Sequence, residues 1–463
     1  MVNFERKVMT QIQYDPLHRE NRSEFIPEYS GLEWLNGNLP TECITWPIPK
    51  KEVRIYEPHD EYYVSAKQVK KYAKQKPWVF PSRPHLFFSD MHADADAFLR
   101  SLVASGGVEK TGPLDDDFVL TEFGEQASFV IGGDCFDKGP ENLRLFRVLT
   151  KLRQLGPRLH ILVGNHDLRT YIGLACAGRK DIRHAHLFVR MGKKTVPLFK
   201  EIYKTYLAGS DHSHSLSEDD VRELLFPDED WYEQFPDAVA GMMPDMKIAK
   251  ELTRIREKVS EFEFRTRKIG MSLAMVYSTL NKAREIFLDK NGEFGWYFDE
   301  MQLCHQAGSF LMLHAGVDDI VADIIRQRGV EQLNAVYKQA LEGDLFDLYN
   351  GPLGNAFRTK YRESDLPFTE KGLADINTAG VYAIIHGHRS LLYGQQITLR
   401  NGLLNFECDA SVDCNTRDLE DLPGLGGAVT IVRPDARILG ISTDYPLAKL
   451  FDLTRVSKLT TVI

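Results

Sequence analysis

The chain has 463 residues, 43% apolar and 27% charged, which excludes a disordered, collagen-like or disulfide-stapled polypeptide. At ~150 residues per domain the length exceeds a single simple domain. A net charge of -9, from 57 basic and 66 acidic residues, offers no basic footprint for a phosphate backbone, so nucleic acid is not an expected partner.

The N-terminal stretch MVNFERKVMTQIQYDP lacks a continuous apolar core and so does not read as a signal peptide. No later stretch approaches the ~20 apolar residues of a membrane span. Six scattered cysteines (Cys43, Cys135, Cys176, Cys304, Cys408 and Cys414) form no C-x-x-C pair and read as reduced thiols. These features predict a cytoplasmic protein with no membrane partner.

Residues 1–80 are punctuated by aromatics and prolines, with one helical stretch near Ser65 to Gln75, and read as an N-terminal extension. From His85 the texture changes to short apolar runs that end in polar residues: HLFFSD, ASFVIGGD, RLHILVGNHD, SFLMLHAG and YAIIHGH. Such runs are buried strands. Between the second and third, Leu143, Phe146, Leu149 and Leu152 recur at helical spacing, which makes a strand-helix-strand crossover and an α/β core. Near the end, QITLRNGLLNFE and GAVTIVRPDARILGIS predict hairpins around Asn401-Gly402 and Pro434-Asp435, hence a second sheet.

The segment from Arg169 to Ser309 is far longer than a usual connection of ~4 to 6 residues and is expected to be a mainly helical insertion. Within it Ile248, Leu252, Ile255, Val259, Phe262, Ile269, Leu273, Val276, Leu280, Ala283 and Phe287 form a heptad seam from Pro244 to a stop at Asn291-Gly292. Gly270 leaves open a kink or a helical hairpin. The seam suits internal packing on the Leu198 to Leu207 and Glu218 to Phe226 segments, with a homo-oligomer seam or a substrate-recognition arm as alternatives. The expected division is 1–80, extension; 81–170 with 309–445, catalytic domain; 171–308, insertion; 446–463, tail.

Polar clusters stand at the ends of the apolar runs: Asp90-Met91-His92, Asp134 to Asp137, Asn165-His166-Asp167, His314 and His386-Gly387-His388. Carboxylate oxygen, imidazole nitrogen and one amide oxygen suit Mn first, with Fe or Zn as alternatives, and the lack of thiolates disfavours structural zinc. Asp90 and His92 could hold one ion, while Asp134 could bridge to a second held by Asn165, His314 and His388. Two ions ~3.5 to 4 Å apart activate a bridging water and neutralise a bound phosphate.

The ordered set SDMHAD, GDCFDKGP, GNHD, HAG and HGHR resembles the calcineurin-like metallophosphoesterase superfamily, within it the phosphoprotein phosphatase branch including bacterial-type members. The motifs span residues 85 to 390. The resemblance implies an αββα fold, a two-sheet β-sandwich flanked by helices, with two metal ions at the strand ends. It makes Asp90, His92, Asp134, Asn165, His314 and His388 the ligands, His166 the general acid and Asp137 its support.

Two departures matter. Lys138 stands where the branch carries arginine, replacing a bidentate phosphate clamp by a point charge. Arg169, Arg358 and Arg389 are candidates for that grip, Arg358 first, and Asn165 can also reach phosphate. Ser390 replaces the second histidine of G-H-x-H in diesterase branches, which favours monoesters. The expected activity is therefore hydrolysis of a phosphomonoester, on a protein Ser, Thr or Tyr or a small molecule. A nucleotide or dinucleotide polyphosphate hydrolase and a non-catalytic scaffold are the alternatives. Asp409 and Asp413 are candidate supports of the site, and His386 of the site or the core. The pairs His184/His186 and His212/His214 read as surface accidents.

Overall fold

The computed structural model describes residues 19–20, 23–49, 65–209, 216–459 and 461–462; the pair His212/His214 lies outside them. The main strands are β1 (Arg19–Glu20), β2 (Cys43–Thr45), β3 (His85–Phe88), β4 (Ser128–Ile131), β5 (Arg158–Leu162), β6 (Met301–Gln302) and β7 (Cys304–Ala307). They continue as β8 (Phe310–Leu313), β9 (Ala383–His386), β10 (Gln396–Arg400), β11 (Leu403–Glu407), β12 (Ala428–Val432), β13 (Arg437–Ser442) and β14 (Ala448–Asp452).

They form a nine-stranded sheet, ordered β1-β2-β14-β13-β12-β3-β4-β5-β6, and a five-stranded sheet, ordered β7-β8-β9-β11-β10. In the first, β3 to β6 run parallel; in the second, β8, β9 and β11 do. Both hairpins form where the turn chemistry places them: Arg400 faces Leu403 across Asn401-Gly402, and Val432 faces Ile438 beyond Pro434-Asp435. The strand β2, from the N-terminal segment, and β14, from the expected tail, lie side by side in the larger sheet.

The period of two along each strand explains the layers. Phe87, Val130 and Leu162 point to the same side as Phe310, Met312, Ile385 and Phe406, and pack into a core between the sheets. The alternate residues Leu86, Phe88, Phe129, Ile131 and Leu311 enter a larger core with the helices. Strands buried on both faces read as unbroken apolar runs, as these do.

The helices that matter here are α1 (Ala66–Gln75), α2 (Ala95–Ala104), α3 (Asn142–Gln154), α4 (Asn165–Cys176), α5 (Asp245–Lys268) and α6 (Leu273–Phe287). Ser65 starts α1 through a reciprocal capping box with Gln68. The heptad segment is not one helix. Gly270, at φ +77°, and the Ser272 cap divide it into α5 and α6, and the latter ends at Phe287, short of Asn291-Gly292. The seam faces inward: Ile255, Phe262, Val276, Leu280 and Phe287 are fully buried, and α6 packs on Val196–Ile202 and Glu218–Leu225. His184 and His186 are also buried, not surface accidents; His184 faces Asp344 and His186 packs on Trp231.

Candidate metal centre and active site

Parallel strands of both sheets end on one edge, where the chain leaves the backbone ladder and polar groups can converge. Asp90 and His92 follow β3, Asp134 follows β4, Asn165 follows β5, His314 follows β8 and His388 follows β9. The loops interlock: Asp90 N–H donates to the Gly133 carbonyl, His92 N–H to Asp134 and Ala93 N–H to Cys135. Asp90, His92, Asp134, Asp137, Lys138 and His388 all have positive φ, between 43° and 67°. Left-handed non-glycine residues are uncommon, and their concentration here marks backbone strain held in place by the surrounding structure.

Two groups of ligand atoms, each within 4.8 Å of one another, could hold metal ions: Asp90, His92 and Asp134, and Asp134, His314 and His388. Asp134 belongs to both. Asn165 adjoins the second, its Oδ1 3.3 Å from His314 Nε2. Backbone carbonyls orient the imidazoles. His314 Nδ1 lies 2.8 Å from the Gly132 carbonyl and His92 Nδ1 3.2 Å from that of Phe136, so as donors both leave the Nε2 lone pair toward Asp134. His388 instead bonds the Arg358 carbonyl through Nε2, at 3.1 Å, which leaves Nδ1.

The electrostatics fit a cation. Burial, then the neighbouring Asp409 and Asp134 carboxylates, push Asp90 well above the usual carboxylate range. Burial pulls His314 down, but Asp134 and Asp90 outweigh it and push it up to about 10. Two buried carboxylates thus crowd together here, and the donors are the oxygen and nitrogen types that divalent ions take.

Beside this pair, His166 Nδ1 lies 2.9 Å from Asp137 Oδ2, and Arg169 Nη2 lies 3.1 Å from the same oxygen. His166 Nε2 faces Asp134 Oδ2 at 3.9 Å. Burial, aided by Arg169, pulls His166 down to about 4 against Asp134 and Asp137. A phosphate dianion at this edge would oppose that shift. Lys138 points into the centre, its Nζ 2.7 Å from His92 Nε2. Arg358 sits over the Tyr349 ring, 4.3 Å from its centroid.

Arg389 is a correction: its side chain is 1% exposed and faces Glu407 at 3.5 Å, so it serves a buried charge network and not phosphate. His386, fully buried, stands 3.9 Å from the same carboxylate and supports the core. Asp409 accepts from Ser390 Oγ at 3.0 Å, and Asp413 caps the helix Cys414–Leu419.

Sequence reasoning missed Asp167. Its carboxylate accepts the N–H groups of Asp134 at 2.7 Å, Cys135 at 2.9 Å and Gly164 at 3.0 Å, and thereby fixes the loop that carries the shared ligand. The aspartate of GNHD was the available signal.

Residues 84–252 match the family model for calcineurin-like phosphoesterases. The matched range holds Asp90 through Arg169, while His314 and His388 lie beyond it. No curated protein matches the chain. Among solved structures it is similar to a cold-active protein-tyrosine phosphatase of a psychrophile, Shewanella sp., at 16% identity over 87% of this chain and 89% of that one, with a TM-score of 0.41. A protein serine/threonine phosphatase from Saccharomyces cerevisiae shares 13% identity over 84% and 90%, with a TM-score of 0.36. No helix among the described residues is long and apolar enough to cross a membrane.

Proposed function

We propose that this chain is a metal-dependent phosphomonoester hydrolase acting on phosphorylated Ser, Thr or Tyr of a protein. One observation carries the reading: two ligand groups share Asp134 on the edge where His166, Asp137 and Arg169 also meet. Asp90, His92 and Asp134 would hold one divalent ion, and Asp134, Asn165, His314 and His388 the other, with Mn first and Fe or Zn as alternatives. Bound there, the two ions would supply an activated water and offset the phosphate charge.

The chain's own residues do the rest. Asp137 holds His166 through Nδ1, which leaves Nε2 directed at the centre; once the bound phosphate and Asp137 hold the ring as imidazolium, Nε2–H would pass its proton to the leaving oxygen. Arg169 anchors Asp137 and adds positive charge beside the phosphate position. Lys138 and Arg358 would take phosphate oxygens, Lys138 by swinging away from His92. Residues 81–170 with 309–445 would form the catalytic unit, and 171–308 would shape access to it. Of the insertion's aromatics Trp231, Phe235, Tyr297 and Phe298 are buried in the core, while Tyr232 and Trp296 are half-buried, with Arg256 over the first ring and Arg153 over the second.

The test is hydrolysis of p-nitrophenyl phosphate beside bis(p-nitrophenyl) phosphate by metal-stripped protein, before and after addition of Mn²⁺. Restored turnover of the monoester supports the reading and justifies a phosphopeptide panel. Preference for the diester, or no turnover of either, overturns it.

A further inference from the structure

The insertion brings cations to the edge of this centre that no sequence motif announced. Lys194 lies in the short turn Gly192–Thr195, and Lys258 on α5 reaches the same turn: a Cβ on Gly192 would stand 2.5 Å from Lys258 Nζ. Lys258 Nζ donates to the Arg190 carbonyl at 3.3 Å. The Arg190 guanidinium is 5.8 Å from the Tyr349 ring centroid, on which Arg358 also stacks. Arg358 ties this cluster to the centre, since its carbonyl meets His388 Nε2 at 3.1 Å, and Arg169 Nη2 touches Asp137 there.

The cations are unevenly compensated. Arg169 pairs with Asp137 and Arg190 with Glu251, at 3.1 Å each. Among the described residues no ion pair joins Lys194, Lys258 or Arg358 to a carboxylate, while Asp137 and Asp134 act on Lys194 and Glu251 on Lys258 from farther away. Desolvation, then repulsion from Arg169, lowers both lysines to about 8. Although burial pushes the Tyr349 hydroxyl up, Arg190, Arg358 and Arg169 pull it down to about 8. In a chain of net charge -9, this is a local positive basin that an anion would relieve.

We propose that Lys194 and Lys258 form an anion subsite beside the phosphate position, next to Arg358, which takes a second phosphate or carboxylate carried by the same substrate molecule. The proposal rests on the phosphomonoesterase reading and names its substrate class: a phosphomonoester that carries a second anionic group. The two lysines come from the insertion, so this selectivity is separate from the metal-binding motifs.

The experiment compares kcat/KM of the Mn²⁺-loaded protein on two matched pairs. One pair is a phosphotyrosine peptide flanked by Glu against the same peptide flanked by Gln; the other is butane-1,4-bisphosphate against butyl phosphate. The wild type is expected to favour the more charged member of at least one pair about tenfold, and the responding pair identifies the source of the anion. K194A/K258A should lose at least fivefold of that preference, and K194R/K258R should keep it. Absence of preference in the wild type, or an unchanged preference in K194A/K258A, overturns the subsite. Calorimetric binding of butane-1,4-bisphosphonate against butylphosphonate separates the two ideas. If no monoester turns over, the phosphatase reading falls, while the bisphosphonate preference and its loss in K194A/K258A still judge the subsite.

Discussion

A Cβ on Gly387 would meet Ser89 Oγ at 1.7 Å and Asp90 Oδ2 at 1.9 Å. Both atoms are part of the support for Asp90, whose Oδ2 also accepts the His388 N–H at 2.9 Å. Gly387→Ala must therefore displace a proposed ligand, and purified protein is expected to lose bound Mn²⁺ by elemental analysis together with turnover. His166→Asn acts differently. It leaves the ligand groups in place, so metal content should persist while monoester turnover falls by ~10² to 10⁴, the usual contribution of general acid catalysis. Loss of metal from that variant would instead assign His166 to the ligand set. Lys138→Ala removes a cation that stands 2.7 Å from His92 Nε2, and it should tighten Mn²⁺ binding while raising KM for the monoester. These positions differ in how far the sequence displayed them. His166 and Lys138 stand inside recognisable motifs, whereas the clash at Gly387 depends on Ser89, almost 300 residues earlier in the chain.

At the scale of elements, the start of β3 and the middle of the crossover strand β5 meet β7 of the second sheet through three stacked histidines. The His85 and His305 rings are 5.3 Å apart and the His160 and His305 rings 3.7 Å apart. Arg83 and Gln302 adjoin them, the latter 3.2 Å from His160 Nδ1. Burial first, then mutual repulsion, lowers His85 to about 4 and His305 to about 3, and burial lowers His160. Unfolded histidines take up protons near 6.5, so the unfolded state binds more protons between that value and the folded ones. The stability held by the neutral stack is therefore present above about pH 6.5 and lost as pH falls toward 4. Urea midpoints should drop between pH 7.5 and 5.0, and His305→Phe, which keeps a ring in the stack, should flatten that slope. An unchanged slope would place the acid sensitivity elsewhere. The turn between α5 and α6 carries a simpler expectation. Gly270, at φ +77°, has nothing within 4 Å, so Gly270→Ala should cost only the ~1 kcal/mol of left-handed strain in a denaturant titration.

Across the whole molecule, residues 171–308 and the larger sheet share one core. Phe136, inside GDCFDKGP, stacks on Phe298 at 5.7 Å and meets Phe287 of α6 at 5.2 Å, while Phe287 also meets Phe146 of α3 at 5.1 Å. Phe262 and Ile255 of α5 belong to the same apolar cluster as Phe129 of β4. Phe287→Ala is expected to destabilise the protein by ~3 to 5 kcal/mol and to lower activity with it, because the loop bearing Asp134 and Asp137 rests on that ring. Far-UV circular dichroism and tryptophan fluorescence should follow one denaturant transition; two separate transitions would show that the insertion folds by itself.

Local chemistry determined much of this protein. Alternating and continuous apolar runs marked the strands, because buried strands must be apolar on both faces, and the polar residues after each run had nowhere to go except the sheet edge. That is why Asp90, His92, Asp134, Asn165, His166, His314 and His388 were legible as one set before any fold was known. Tertiary structure alone decided the rest. It turned Arg389 into the core toward Glu407 and buried His184 and His186, and it set the chain before His85 beside the chain after Tyr445 in one sheet. It also brought Lys258 of α5 against the Gly192–Thr195 turn that carries Lys194. The reason is physical: a motif records groups that one loop holds together, whereas the direction of a long side chain and the partner of a distant strand depend on which surfaces the folded core brings into contact.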